Sequence, residues 1–244
     1  SPMSMVASGA KGLVVLRTAR GHRGRCTRQR GVGSAPVRRF PKPPRGSSQL
    51  CGLLLACPTM DELHDIRARF PAIDGQWARF DGPGGTQVVD TAIEAAADWQ
   101  RSGNNANSLG AFAAAYACDD LVVRASATMG RLLGADPKGI ILGPSTTANM
   151  MALTRAIGRW VGPGDEVICT ALDHDSNVSP WLLMAEDTGC RVQIADFDPS
   201  TGRLSVEAVA DLVSSSTRWV AVTGASNVIG TIPDVSAITQ VAHE

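Results

Sequence analysis

The sequence is poor in aromatic residues, which make up 5% of its 244 positions. Its hydrophobic content of 44% still suffices for a sizeable core, so that core must rely on alanine, valine, leucine and isoleucine. The apolar run at residues 50–57 is too short for a membrane helix and too far from the N-terminus for a secretory signal. Neither a membrane partner nor stacking of single-stranded nucleic acid on rows of aromatic rings is expected.

The six cysteines lack a CxxC pair and any metal-ligand spacing, so no metal site is expected. Cys169 and Cys190 lie in or beside strand-like apolar runs, where a thiol behaves as a small buried hydrophobic group. A reducing cytoplasm is the simplest compartment for such a set of cysteines.

Acidic residues are missing from residues 1–59, a segment that holds 11 of the 23 lysines and arginines. Residues 60–244 hold 12 basic and all 23 acidic residues, a net charge of −11. The leading segment shows no sustained helix or strand period, so it is expected to be disordered alone. An organellar transit peptide, a basic arm for nucleic acid and a non-native extension are three interpretations. We favour the extension, because the globular pattern begins at Met60.

Beyond Pro137, short apolar runs alternate with helical patterns, which indicates βαβ units. The predicted strands are residues 139–142, 166–170, 191–195 and 219–223. The predicted helices are residues 146–160, 180–188, 205–213 and 235–242. Earlier helical patterns predict a helical segment at the start of this domain, with helices at residues 61–70, 87–100 and 111–133. The fold class is therefore α/β, with a mostly parallel sheet flanked by helices.

Three polar loops each follow a predicted strand: GPSTT at 143–147, ALDHDSNVSPW at 171–181 and GASNVIG at 224–230. The first enters a helix, whose N-terminus suits a phosphate, although simple helix capping explains its hydroxyls equally well. His174 in the second loop can stack on a flat ring or exchange a proton. Asn227 in the third can orient a ligand or merely form a turn. Because open α/β sheets bind ligands at the carboxyl ends of their strands, the loops together predict a site for a flat, phosphorylated ligand.

A family resemblance is carried by the phrases FDGPGGTQV, GNNAN, ILGPSTTANMMAL, ALDHDSNVSPW, ADFDPSTGRL and GASNVIGTIPDV. From about residue 79 to 244 the chain resembles the class V aminotransferases, pyridoxal-phosphate enzymes, and specifically their cysteine desulfurase-like branch. The resemblance implies the large domain of fold type I and pyridoxal 5′-phosphate as cofactor. It implies that Ser145 and Thr146 hold the phosphate, that His174 stacks on the pyridine ring, and that Asn227 bonds near the ring hydroxyl.

The resemblance also implies an amino-acid substrate, carbon–sulfur cleavage or amino-group chemistry, and a homodimer. Thr147, Asp175 and residues 104–107 depart from the family, which commonly has a glutamate, a second histidine and a substrate-side histidine there. The family's Schiff-base lysine and pyridinium-pairing aspartate follow the helix near Val235, and no lysine of this chain lies in the matching motif. The chain is therefore expected to be a C-terminally incomplete fragment, without catalytic residues of its own and inactive alone.

Other functions remain as alternatives. A catalytically inactive or regulatory remnant that pairs with a full-length relative would share every motif described above. A nicotinamide-linked oxidoreductase would share the sheet, but the glycine-rich turn that it needs after its first strand is missing. A hydrolase built from Ser226 or Ser145 with His174 and Asp173 would lack the G-x-S-x-G elbow.

Overall fold

The computed structural model describes residues 13–17, 60–73 and 75–244. The described residues fall into two compact units. One unit contains the described residues from Met60 to Arg101, and the other contains Leu13–Arg17 together with residues 102–244. The boundary predicted after residue 59 rests on charge composition and stays a prediction.

The unit that ends at Arg101 contains helices α1, Met60–Ala68, and α2, Asp90–Arg101, close to the predicted positions. Neither helix contains a buried residue. The guanidinium of Arg69 donates to both carboxylate oxygens of Asp90, at 2.8 to 3.0 Å, and the Asp90 N–H donates to the Arg69 carbonyl at 2.7 Å. Polar contacts thus join the turn after α1 to the start of α2.

The second unit is built around a four-stranded sheet. Its strands are β1, Leu13–Arg17; β2, Glu166–Thr170; β3, Arg191–Ala195; and β4, Thr217–Thr223. Their order across the sheet is β1-β4-β2-β3. β2 pairs in parallel with both β3 and β4, as the alternation of strands and helices predicted.

Five helices of this unit flank or precede the sheet, and all lie near their predicted positions. They are α3, Ala113–Leu133; α4, Thr146–Ile157; α5, Ser179–Thr188; α6, Val206–Ala210; and α7, Val235–His243. The α3 helix ends at Gly134, whose φ of 64° is the left-handed conformation that glycine adopts without steric cost. α4 and α5 follow their loops directly, so the ends of these two helices help to shape the candidate site.

The strand predicted at residues 139–142 is wrong. A 3-10 turn occupies Pro137–Gly139, and the residues after it are extended without pairing to another described strand. Ile141 and Leu142 are about half exposed, at 51% and 47%. An apolar run becomes a strand only where a neighbour accepts its ladder of hydrogen bonds, and the described residues provide none here.

Strand β1 corrects a second expectation, because no strand was predicted in residues 1–59. Leu13–Arg17 pairs antiparallel with β4 over its whole length, from Leu13 opposite Thr223 to Arg17 opposite Trp219. β1 occupies the side of β4 that faces away from β2 and satisfies backbone groups that would otherwise form an open edge.

Two hydrophobic layers cover the two faces of the sheet. On one face, Ile168, Val220 and Val222 pack with residues of α6 and α7. On the other face, Val167, Cys169 and Ala221 pack with residues of α4 and α5. Alternating residues of the same strands feed opposite layers, which is the arrangement of a central strand buried on both faces.

Removing residues 1–17 is expected to promote aggregation, because the strand-pairing groups of β4 that face β1 would lose their partners. The onset of light scattering on heating should fall by several degrees, whereas removing residues 1–12 keeps β1 and should change it little. Equal onset temperatures for the two truncations would show that β1 does not protect this edge.

Candidate functional site

The N-terminus of α4 lies at the first candidate loop. Ser145 is exposed and extended, and its Oγ accepts a hydrogen bond from the Ala148 N–H at 3.1 Å. Thr146 is partly buried at the first position of the helix. A twelve-residue helix thus begins with two adjacent hydroxyls and a partial positive charge, which is a chemically suitable end for an anion.

His174 caps a 3-10 turn, Asp175–Asn177, directly after β2. Its Nδ1 lies 3.1 Å from the Ser176 nitrogen and 2.8 Å from the Ser176 Oγ. The backbone N–H of Ser176 donates to Nδ1, which fixes the orientation of the ring through its own loop. The side chain is only partly buried, and its Nε2 has no hydrogen-bond partner among the described residues. The ring is therefore held through Nδ1, and its Nε2 remains available to a ligand.

A buried chain of polar contacts supports the loop that carries His174. The Thr170 hydroxyl bonds to Asp173 Oδ2, and the Asn177 Nδ2 donates to Asp173 Oδ1 at 2.7 Å. The Trp181 Nε1 donates in turn to the Asn177 Oδ1, a long contact of 3.5 Å. Asn177 is 2% exposed and Trp181 is fully buried. Asp173, Asn177 and Trp181 of the ALDHDSNVSPW loop thus form a scaffold that shapes the loop.

Asp173 joins this loop to the end of β4. Burial raises the pKa of Asp173 to about 6, against hydrogen bonds from Thr170, Asn177 and the Thr223 N–H that lower it. Burial also raises the pKa of the neighbouring Cys169 thiol, and the charge of Asp173 adds to that rise. Cys169 therefore stays a neutral thiol, which confirms its prediction as a buried hydrophobic group.

Asn227 lies in the loop after β4 and is partly buried. The loop is closed by the Ser226 N–H, which donates to the Thr231 carbonyl at 2.9 Å, and by Gly230, whose φ is 75°. The Ser226 Oγ accepts from the backbone N–H groups of Val228 and Ile229, each at 3.3 Å. These hydrogen bonds form a tight turn that fixes the backbone on either side of Asn227.

The turn at Asp175–Asn177 packs against both α4 and β4. The His174 loop therefore lies beside the helix that starts at Thr146 and beside the strand that leads to Asn227. Four supporting residues were missed by reading the sequence: Thr170, Asn177, Trp181 and Thr223. The spacing of four residues from Asp173 to Asn177 and on to Trp181 was the available signal, because residues four apart face one side of a helical turn.

The alternative of a serine hydrolase does not fit this geometry. The Asp173 carboxylate accepts hydrogen bonds from Thr170, Asn177 and Thr223, and no hydrogen bond joins it to His174. His174 Nδ1 is occupied by Ser176. A catalytic triad requires the acid to orient the imidazole through that nitrogen, so the two residues do not form one here.

Two departures from the family pattern have local structural roles. The Asp175 carboxylate accepts a hydrogen bond from the Ser179 hydroxyl, at 2.5 Å, beside the start of α5. In the loop at 104–107, the Cys118 thiol lies 3.2 Å from the carbonyls of both Asn104 and Ala106. The loop is thereby attached to α3.

The described residues contain no group of three or more histidine, cysteine, aspartate or glutamate side chains arranged to hold a metal ion. Among the helices that the structure describes, none is long and apolar enough to cross a membrane.

Solved structures with the same fold include cysteine desulfurases. The cysteine desulfurase of Thermococcus onnurineus NA1 superposes with a TM-score of 0.64 at 19% identity, covering 73% of this chain and 44% of that chain. CsdA from Escherichia coli gives 0.60 at 23% identity, covering 72% of this chain and 45% of the other. The parallel sheet and its flanking helices are thus those of the large domain of fold type I pyridoxal-phosphate enzymes, as predicted.

The sequence defines the family. The family described as Aminotransferase class-V matches residues 79–244, and the chain belongs to it. An uncharacterised Mycobacterium tuberculosis protein, MT3887, is 33% identical over 180 residues, covering 73% of this chain and 45% of that protein. The probable cysteine desulfurase 1 of Mycobacterium leprae is 28% identical over 222 residues, covering 82% of this chain and 36% of the relative. The chain spans less than half the length of these relatives.

The partly buried carboxylate of Asp173 makes stability depend on pH. Because the folded pKa of Asp173 is raised from 3.8 to about 6, the folded state binds the proton more tightly, and stability falls as pH rises through that window. The contribution lost by neutral pH is roughly 3 kcal/mol. Asp173→Asn should lack this part of the slope, so its stability relative to the wild type should rise between about pH 4 and 6.5. Urea unfolding at each pH measures it, and parallel curves would contradict it.

Replacing Asn177 by alanine should destabilise the fold by roughly 3 kcal/mol, since the Asp173 carboxylate and the Trp181 N–H would both lose a buried partner. Urea unfolding compares the free energies of the variant and the wild type. Gln240→Ala removes an exposed amide from α7 and should stay within about 0.5 kcal/mol. Similar small effects for both variants would show that the buried chain contributes little.

Proposed function

We propose that this chain carries the cofactor-seating loops of a pyridoxal-phosphate enzyme of the cysteine desulfurase-like group that acts on an amino acid. The observation that carries the proposal is the geometry of His174. Its ring is fixed at Nδ1 by its own loop, precedes a turn that packs against α4 and β4, and keeps Nε2 free of partners among the described residues. A preoriented flat ring at the carboxyl ends of parallel strands suits a planar heterocycle.

The residues at the start of α4 fit the phosphate of such a cofactor. Ser145 and Thr146 stand at the helix N-terminus, where the aligned peptide dipoles favour an anion. A phosphate arriving there can accept from a hydroxyl and from the first backbone N–H groups of the helix. In this proposal the Ser145 hydroxyl donates to the phosphate while its Oγ still accepts from Ala148.

Asn227 completes the proposed seat. Its side-chain amide can donate to an oxygen on the ring, and the closed turn from Ser226 to Thr231 limits its movement. When bound, pyridoxal phosphate supplies an electron sink for reaction at the amino acid's α-carbon. The contribution of these protein residues is to bind, orient and shield the ring.

The substrate is proposed as an amino acid, with carbon–sulfur cleavage or amino-group chemistry as the reaction. The support is membership of the family and the relative from Mycobacterium leprae that is named a probable cysteine desulfurase. Another structural neighbour is a C-DES variant with glycine covalently linked to its pyridoxal-phosphate cofactor. The reducing cytoplasm remains the proposed compartment, consistent with free thiols at Cys118, Cys169 and Cys190.

Equilibrium dialysis tests the cofactor seat. The wild-type chain should bind pyridoxal phosphate more tightly than pyridoxal, because only the former presents an anion to α4. His174→Ala should weaken binding by roughly tenfold through loss of ring stacking. His64→Ala, at an exposed position of α1, is the matched control and should bind as the wild type does.

Two outcomes would refute the proposal. Equal affinity for pyridoxal and its phosphate would remove the anion seat at Ser145 and Thr146. Unchanged binding by His174→Ala, with His64→Ala also unchanged, would show that the ligand does not lie on the histidine.

A further inference from the structure

Gly143, two residues before the start of the proposed phosphate seat, packs directly against the side chain of Asn149. A Cβ atom built on Gly143 would overlap the Asn149 Oδ1 and would lie 2.7 Å from the Asn149 Cγ. Any side chain at position 143 would therefore displace the Asn149 amide. Gly143 does not adopt the left-handed conformation, so space rather than backbone geometry is what requires glycine here.

Asn149 is held in place by the helix that carries it. Its backbone N–H donates to the Ser145 carbonyl at 3.0 Å. The next residue, Met150, is 1% exposed and packs in the hydrophobic layer between α4 and the sheet. Because Asn149 follows Ser145 by four positions, the two side chains lie on the same side of the helical turn. The amide is thus a fixed surface at the start of α4.

The chain that enters α4 has few other constraints. Residues 141–144 form no hydrogen bond within the part of the chain that the structure describes. The packing contact between Gly143 and Asn149 is therefore placed to fix the course of the chain at this point. Only Pro144 separates Gly143 from Ser145, and its ring restricts the backbone, so a displacement of Gly143 would also move Ser145.

We propose that Asn149 is a positioning residue for the phosphate seat at Ser145 and Thr146 and acts through its packing contact with Gly143. This inference rests on the proposed cofactor seat. The amide fixes the backbone before α4, so that the Ser145 hydroxyl and the first N–H groups of the helix point at one anion. A seat fixed in this way binds the anion without the entropic cost of ordering the chain on binding.

A double-mutant cycle tests this role. Equilibrium dialysis measures the affinities of the wild type, Gly143→Ala, Asn149→Ala and the double variant for pyridoxal phosphate and for pyridoxal. The ratio of the two affinities isolates the contribution of the phosphate, because both ligands share the ring. Each single substitution should lower this ratio about tenfold. Adding Gly143→Ala to Asn149→Ala should change it less than about twofold, because the amide that the methyl group would displace is already absent.

Two controls accompany the cycle. Gly139→Ala introduces the same methyl group at an exposed position where a Cβ atom meets nothing within 4 Å, and it should keep the wild-type ratio. Far-UV circular dichroism checks folding. If Gly143→Ala alone prevents folding, the added Asn149→Ala should restore it, because it removes the steric overlap.

The outcomes separate this inference from the cofactor seat. A wild type that prefers pyridoxal phosphate, with additive losses in the double variant or unchanged ratios in both single variants, would overturn the role of Asn149 alone. A double variant that stays unfolded when Gly143→Ala is unfolded would overturn it as well. A wild type that binds both ligands equally would instead remove the phosphate seat, and this inference with it.

Discussion

The hydrogen-bonded carboxylate of Asp173 is the contact on which the geometry of the site depends. It collects hydrogen bonds from the strand before the loop, from the turn after His174 and from the end of a neighbouring strand. A carboxylate in an apolar surrounding is costly unless its oxygens are paired, so each donor is constrained to stay in place. The loop that carries His174 is thereby held at the carboxyl edge of the sheet without a hydrogen bond between Asp173 and the imidazole.

The parallel part of the fold could be predicted from the sequence because β2, β3 and β4 contain short apolar runs bounded by turns. Strands of this kind are buried on both faces, so their sequence signal does not depend on which neighbour they find. The run at residues 139–142 carries the same signal, yet forming a strand requires a pairing partner that a short stretch of sequence does not reveal. β1 was missed for the opposite reason, since five residues that favour a strand lie inside a long arginine-rich segment whose average composition predicts disorder.

The positions of the site loops were also accessible from the sequence, because each loop follows a strand or an extended run. The buried scaffold was not accessible, because Asp173 and Asn177 look like ordinary polar loop residues. Their roles become evident only in the folded structure, where the Trp181 Nε1 donates to Asn177 and the end of β4 donates to the Asp173 carboxylate. The helical spacing of these residues indicated their common side, and the packing of α5 against the sheet explains why that side faces inward.

The spacing of the buried chain has a consequence for how this loop can change. Asp173, Asn177 and Trp181 lie four positions apart, so one added or deleted residue between them would rotate the next member by about 100° around the helical turn. The exposed Asp175, by contrast, can change in character without altering that phase. The number of residues in the loop is therefore constrained, whereas its exposed residues can be substituted. Side chains that face a ligand can then vary while the imidazole keeps its position.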